Sequence, residues 1–583
     1  SAIAYKNNYK DSSWLSLMEN RLDAARRIIR DDGITCIAID DTEFARLKCL
    51  IDTMFTPSAL LGVAAVRSNP AGRSTPKGFS EAHEYALFVA ASDQSTVGRV
   101  PRNERQLARY GERDSIGAFE WVNFRKHGGR EATREARPRM YFPIFANAHS
   151  GAVRLPKLEW ETSSQSWLLL EKQREDEVVV WPLNEAGQQL RWKWGSESFE
   201  GAIEDFCARP DQSGNIGIYM KARMNEEGML PVTWWDQREY SATEYGTNLL
   251  TDIFGRIADF SFPKALRLVI DCLRSSSVRN DSRVLDFFAG SGTTGHAVIA
   301  LNREDGGTRQ FTLVETGAYF DTVLLPRIKK VMFSPEWRDG MPKRVATKTE
   351  AQRGPRIVKL VRLESYEDAL NNLVPRRSVR QDDLLASAEA QGADRLKEQY
   401  LLHYMLDVET RGSQSLLNVK AFADPTAYKL KVKRPGSDES REVNVDLLET
   451  FNWLIGLTVQ GIAAPQAFTA EFERDNEGRL VLKGRLRQDA AGPWWFRIVT
   501  GTTPDGRRAL IIWRKLTGNP EQDNLVLDTL FTRAGYSAKD SEFGLIYVNG
   551  DNNLENLKAA DYTWKVRLIE EDFHRLMFDT EGL

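Results

Sequence analysis

Residues 284–295 hold an apolar pair, Val284 and Leu285, ending in the carboxylate of Asp286. The chain then passes through Phe287, Phe288, Ala289, Gly290, Ser291 and Gly292 to the hydroxyls of Thr293 and Thr294 and to Gly295. Ala297, Val298, Ile299 and Leu301 follow at helical spacing, so the stretch reads as a strand, a tight loop and a helix. Gly290 and Gly292 remove side chains where backbone must approach a ligand. The first turn of the helix aims N–H groups at the same spot. Such a loop suits a nucleotide-like cofactor. The spacing of Gly290, Gly292 and Gly295 also satisfies the G-x-G-x-x-G pattern of dinucleotide enzymes. Glu315, which ends the next strand at 310–315, can take ribose hydroxyls in either class. Asp286 tilts the choice, because a carboxylate at the loop mouth repels a pyrophosphate and suits the ammonium and sulfonium charges of S-adenosylmethionine.

The elements that must position this loop alternate between helix and strand. Residues 14–29 place Trp14, Leu15, Leu17, Met18, Leu22, Ala25 and Ile28 on one helical stripe, which Asp31, Asp32 and Gly33 end. Residues 34–39 form a near-continuous apolar strand of the kind covered on both faces. A second amphipathic helix is expected over 44–55 and a further strand over 85–90. Asp40, Asp41 and Glu43 follow a strand end, where open α/β sheets place their sites. Capping of the next helix by Asp41 or Thr42 accounts for them more simply. His296 follows the loop directly but sits inside a helix, where a packed imidazole is the ordinary case.

The chain has 583 residues, 42% apolar and 28% charged, with a net charge of −3, which is the composition of a globular protein of several domains. No apolar run is long enough for a membrane span or an export signal, and the cytoplasm is the expected location. Cys36, Cys49, Cys207 and Cys272 are scattered without a C-x-x-C spacing, so buried free thiols and no metal are expected. Between residues 99 and 139, eleven Lys or Arg stand against six Asp or Glu, with Tyr110, Trp121 and Phe124 interleaved. Basic side chains there, including Arg125, Lys126, Arg130 and Arg134, are candidates for phosphate contact, and Trp192, Trp194, Trp234 and Trp235 for contact with bases. For each Trp, packing in a core is the commoner role. A P-loop lysine, a serine-hydrolase elbow and a metalloprotease helix are all lacking, so any helicase or restriction activity belongs to another polypeptide.

The run from Asp286 to Thr294 resembles the cofactor motif of amino-group DNA methyltransferases. Phe260, Ser261, Phe262, Pro263 and Lys264 resemble the companion cofactor motif of the same family. Residues 14–22, 39–43 and 83–85 resemble the modification subunit of type III restriction systems and adenine-specific relatives with the beta order of motifs. The resemblance implies an α/β, Rossmann-like S-adenosylmethionine-dependent core. In it, residues 1–95 form the catalytic half, 96–245 an inserted target-recognition region, 246–340 the cofactor half and 341–583 a C-terminal α+β accessory region. In that last region helices are expected over 360–373 and 394–408, and antiparallel strands over 467–486 and 494–514.

The resemblance further implies cofactor contacts from Phe262, Pro263, Lys264, Asp286, Phe288, Ala289, Gly290, Ser291, Gly292, Thr293, Thr294 and Glu315. It implies double-stranded DNA as substrate, with a separate restriction or helicase subunit and a homodimer as candidate partners. The family's catalytic Asp-Pro-Pro-Tyr does not occur among these residues. In the family's order it precedes a segment like 5–14, so it is expected upstream of Ser1, and no catalytic residue is assigned within the chain. A first residue of Ser rather than Met agrees with a truncated or processed start. Two consequences follow. The chain alone is expected to be inactive, and the sheet is expected to have a vacant lane between the strands at 34–39 and 284–288. Adenine N6 methylation is the leading expectation. A non-catalytic DNA-binding or assembly fragment, one half of a split enzyme, and cytosine N4 methylation are the alternatives.

Overall fold

A computed structural model describes residues 11–72, 78–210, 214–374, 412–433, 439–539, 542–558 and 564–578, together with Arg380, Asp383, Ala386 and Thr410. Ser1 and the nine residues after it are not among these, so the expectation of a catalytic motif upstream of Ser1 falls outside the described residues. The helix expected over 394–408 lies outside them as well. Two compact units divide the chain, residues 1–358 and 359–583.

In the first unit, helix α1 (Asp11–Ile28), strand β1 (Ile34–Ile39) and helix α2 (Asp41–Met54) come in the expected alternation, and a strand that was not expected, β2 (Leu60–Val66), precedes the expected β3 (Glu84–Ala90). The cap of α2 is Asp40 rather than Asp41 or Thr42; its carboxylate accepts the Glu43 N–H at 3.4 Å. Strands pair in the order β1, β3, β2 and β4 (Trp234–Trp235), with β1 and β2 antiparallel to β3 and β4 parallel to β2. Trp235, a candidate for base contact, is therefore part of this core sheet and is buried against Tyr240.

The apolar run of β1 follows from its two covered faces. Ile37 and Ile39 pack with Met18 and Leu22 of α1 and Leu47 and Ile51 of α2. Ile34 and Cys36 face Leu268 and Cys272 of helix α3 (Leu266–Ser275). The other side of α3 carries Ile270 and Leu273, which pack with Val284 of β5 (Arg283–Asp286) and with Ala297, Val298 and Leu301 of α4 (Thr293–Asp305). One helix thus spans β1 and β5, and Arg279 of the turn before β5 pairs with Asp32 before β1 at 3.0 Å.

β5 pairs in parallel with β6 (Gln310–Leu313), and Ile328 of helix α5 (Leu325–Phe333), with Leu324 just before it, packs behind the loop. Among the described residues β5 has only β6 as a neighbour and β1 only β3, so the edges bracketed by α3 are unpaired, as the vacant-lane expectation requires. Leu285 in the middle of β5 is 41% exposed, far from the burial of an interior strand in a closed α/β sheet.

Residues 96–233 form short antiparallel sheets. One runs Phe206–Pro210, Ile216–Arg223, Ala118–Asn123, Glu112–Arg113; another runs Glu177–Val180, Ile144–Asn147, Val153–Arg154. Their core includes Phe124, Phe142, Trp192, Phe199 and Phe206. The second unit holds the expected hairpin Trp494–Thr502 with Arg508–Arg514, turning at Gly506. Beyond it the chain makes a parallel crossover: helix Pro520–Arg533 leads to Leu545–Val548, parallel to Arg508–Arg514, and Val566–Leu568 adds a second parallel strand. Only Tyr366–Asn371 of the stretch expected as helix over 360–373 is helical, capped by Ser365.

Among the described residues no helix is long and apolar enough to cross a membrane, and no group of three or more His, Cys, Asp or Glu could hold a metal. Of the four thiols expected to be buried, Cys272 is buried, Cys36 and Cys207 are partly covered and Cys49 is exposed.

Candidate cofactor-binding site

Strand β5 delivers Asp286 to the edge of the sheet, and the chain turns sharply into α4. Gly290 (φ 53°) and Gly292 (φ 78°) both adopt left-handed backbone, which a residue with a Cβ enters only at a cost. Gly292 N–H closes the turn on Ala289 O at 2.8 Å, and Ala289 N–H and Val314 N–H tie the loop to the end of β6 at 3.2 and 2.8 Å. Two carboxylates grip the loop from opposite ends. Asp286 accepts from Thr294 Oγ1 at 2.5 Å and from Phe288 N–H at 3.1 Å. Glu315 accepts from Gly290 N–H at 2.7 Å, from Thr316 and Gly317 N–H at 2.8 Å each, and from the Tyr319 hydroxyl at 3.1 Å. Burial pushes the Asp286 carboxyl above the usual range, and the hydrogen bond from Thr294 opposes that shift.

The segment around Phe262 lies against the same loop. A Cβ on Gly290 would stand 3.1 Å from the ring of Phe260, whose edge meets Tyr319 with centroids 4.8 Å apart. Phe260 and Tyr319 therefore join the two motifs into one wall; Tyr319 was missed in the sequence because nothing but its four-residue offset from Glu315 marks it. Phe262 has φ 58° and is 75% exposed, an aromatic residue held in a conformation that costs on the order of 1–3 kcal/mol with its ring near solvent. Phe288 is also half-exposed at the loop. Lys264, expected beside the cofactor, pairs with Glu84 at the start of β3 and so fastens this segment to the other sheet. Pro263 presses its carbonyl onto Gly246, where a Cβ would fall 2.3 Å away.

Beneath the loop lies a buried group that sequence reasoning did not single out. Arg327 of α5 is fully buried and donates to Ser291 Oγ (3.0 Å), Thr293 Oγ1 (2.9 Å) and Ser291 O (3.3 Å), with His296 Nδ1 at 3.3 Å. His296 is itself buried, and burial beside Arg327 holds its imidazole well below its usual pKa; it is a neutral packing partner, as its helical position suggested.

Comparison with known proteins decides the family. The model of the family described as DNA methylase matches residues 2–320. The chain belongs to this family. It is 31% identical over 326 residues to the type II methyltransferase M.KpnI of Klebsiella pneumoniae, covering 54% of this chain and 72% of that one. It is 30% identical over 315 residues to the type III restriction-modification enzyme EcoPI Mod subunit of Escherichia phage P1, and 25% over 303 residues to the StyLTI Mod subunit of Salmonella typhimurium. The chain spans 46% and 40% of the length of these two Mod subunits. The recognition of a DNA methyltransferase of the Mod kind from its motifs is thereby borne out.

The candidates for DNA contact separate by burial. Trp192 is 1% exposed, stacked on Phe124 at 5.2 Å with its indole N–H given to Phe142 O, so as a base-contacting residue it is corrected to core. Trp194 is half-buried against Phe124 and Phe206, while Trp234 is 54% exposed. Arg125 donates to Leu183 O, and Arg134 donates to Gln189 at 2.8 Å and lies over Tyr141 at 4.9 Å. Neither these two nor Lys126 has a carboxylate partner among the described residues, and burial with the neighbouring Lys126 lowers the pKa of Lys193. The side chain of Arg130 lies outside the described residues.

Proposed function

We propose that this chain is the donor-binding and target-recognition part of a DNA methyltransferase that acts on the exocyclic N6 amine of adenine within a restriction-modification system, with S-adenosylmethionine as methyl donor. The observation that carries the reading is the loop at 286–294, held between Asp286 and Glu315 and walled by Phe260 and Tyr319. Left-handed Gly290 and Gly292 let the backbone turn tightly against Phe260 and Leu324, and the carboxylates suit the donor's ammonium group and ribose hydroxyls. Phe262 and Phe288 offer ring faces at the rim, and Ala289, Ser291, Thr293 and Thr294 shape the turn beneath. When bound, S-adenosylmethionine supplies an electrophilic methyl group, which passes to the amine nitrogen as the S–C bond breaks and the amine sheds a proton.

Flipping of the target base fits the division of labour, since an amine inside a duplex is out of reach. The cations of the inserted region, Arg125, Lys126 and Arg134, lacking carboxylate partners among the described residues, suit DNA phosphates. A restriction subunit is the partner this reading includes by analogy with the names of the Mod relatives, and a second copy of the chain is a further candidate. The unpaired edges of β1 and β5 favour the narrower reading that these 583 residues bind donor and do not transfer methyl groups by themselves.

Calorimetric titration tests the first part: S-adenosylmethionine binds and NAD does not. Tight NAD binding with no response to S-adenosylmethionine overturns it. Transfer of labelled methyl groups to mixed-sequence DNA tests the second, and sustained incorporation by this polypeptide overturns the claim of inactivity.

A further inference from the structure

Among the described residues, no acid pairs with the charge of Arg327. It is fully buried, its partners are two hydroxyls, one carbonyl and one neutral imidazole, and its Nε has no partner. Because guanidinium can only donate, the His296 Nδ1 facing it is an acceptor and contributes no negative charge. The loop's two acids are engaged elsewhere, Asp286 with Thr294 and Phe288, Glu315 with Gly290, Thr316, Gly317 and Tyr319. The N-terminal end of α4 starts at Thr293, directly over the guanidinium, and adds a partial charge of the same sign.

Two positive sources stacked under one turn, with no acid between them, raise the cost of the free protein and lower that of a complex in which an anion lies on the turn. Hydroxyls and a carbonyl would hold the turn equally well if the buried donor were neutral, so hydrogen bonding alone does not account for a buried cation.

We propose that Arg327 is a positioning residue for the anionic end of the bound cofactor, acting through the Ser291–Thr293 turn to favour the α-carboxylate of the methyl donor's amino-acid part. The inference rests on the donor reading given under Proposed function. It assigns the loop a polarity: carboxylates on the Asp286 and Glu315 side for ammonium and hydroxyl groups, a buried cation on the Ser291 side for carboxylate. Arg327 touches neither substrate nor reacting atoms in this account; it sets the potential and the shape of the turn that does.

The test compares two ligands on one protein. S-adenosylhomocysteine carries the amino-acid end, and 5′-methylthioadenosine has the same nucleoside without it. Affinities of both are measured by calorimetry for the full chain with Arg327 intact, for Arg327→Gln and for Arg327→Lys. The ratio of the two affinities within one sample is independent of the fraction folded.

Arg327→Gln is expected to weaken S-adenosylhomocysteine by about tenfold while 5′-methylthioadenosine changes by less than about threefold, the effect of one partly screened unit charge. Arg327→Lys keeps the charge and is expected to preserve the ratio, even if both affinities fall; it also serves if the Gln variant does not fold. Equal losses for both ligands in Arg327→Gln, or a ratio lost equally in Arg327→Lys, overturn the proposal and leave Arg327 a packing residue. If the unaltered chain binds neither ligand, the donor reading itself fails, which is a separate and distinguishable result.

Discussion

Replacing Gly246 with alanine should damage donor binding more than it damages the fold. Gly246 is buried in the helical turn Thr243–Thr247, and a Cβ there would lie 2.3 Å from Pro263 O, 3.2 Å from Pro263 C and 3.4 Å from Lys264 C. All three are backbone atoms, so no side-chain rotation relieves the clash. Ordinary contact begins near 3.4 Å, so the carbonyl must retreat by roughly 1 Å. The segment that moves carries Phe262, already at φ 58°, and is fastened at its far side by the pairing of Lys264 with Glu84.

Overpacking of this size costs about 1–3 kcal/mol, and the change from Gly to Ala in a helical turn returns up to about 1 kcal/mol, leaving a net loss of about 0–3 kcal/mol. A displacement of about 1 Å at a positioning loop can cost on the order of 100-fold in function, so S-adenosylmethionine affinity should fall by about 10- to 100-fold. Thermal melting and calorimetric titration of the same sample separate the two effects. Unchanged affinity with a large drop in melting temperature would refute the link between the Gly246 contact and the cofactor loop.

The strand, tight turn and helix at 283–305 were legible because their signals are local: glycines that must turn, an acid at a strand end and hydroxyls at a helix start are all spelled out within 286–294. The alternation of α1, β1, α2 and β3 was legible for the same reason, since the helices carry periodic apolar stripes and the strands near-continuous apolar runs. What escaped depends on contacts distant in sequence. Arg327 reads as one more surface cation in a basic helix until α5 is seen to lie under the turn at Ser291. For Trp192 core packing is the commoner expectation and base contact the candidate role; the Arg-Trp-Lys-Trp run does not show that Phe124 and Phe142, distant in sequence, enclose it. Lys264 looked free to meet a ligand because nothing in the sequence places Glu84 beside it. The parallel strands at Leu545–Val548 and Val566–Leu568 are short, and their pairing partner lies about one crossover helix earlier, beyond the reach of a hairpin signal.

Asp286→Asn should keep or raise stability near neutral pH while weakening S-adenosylmethionine at least tenfold. The carboxyl is raised by burial, so the native state holds its proton longer than the unfolded chain; stability falls as pH rises from 3.8 through the raised value, and the amide removes that loss. Loss of stability in denaturant titrations at pH 7 would contradict it. His296 has the opposite sign of effect. Its folded pKa is depressed, so below about 6.5 the unfolded chain takes up a proton that the native state refuses. Stability should drop by about 1.4 kcal/mol per pH unit on acidification, a slope that His296→Asn should flatten.

The unpaired edges of β1 and β5 carry the last prediction. β1 is apolar and β5 carries Val284 and Leu285, and α3 covers one face of each, so each presents unpaired backbone donors and acceptors along its open edge. Each such group costs about 1–3 kcal/mol when it is buried without a partner, and an open apolar edge recruits another strand. A peptide joining an apolar strand to Asp-Pro-Pro-Tyr should therefore raise the melting temperature and slow amide exchange at both Ile34–Ile39 and Arg283–Asp286. A scrambled peptide of the same composition should do neither. Protection confined to one of the two strands would mean that they do not flank a common lane, and the exposure of Leu285 would then need a different cause.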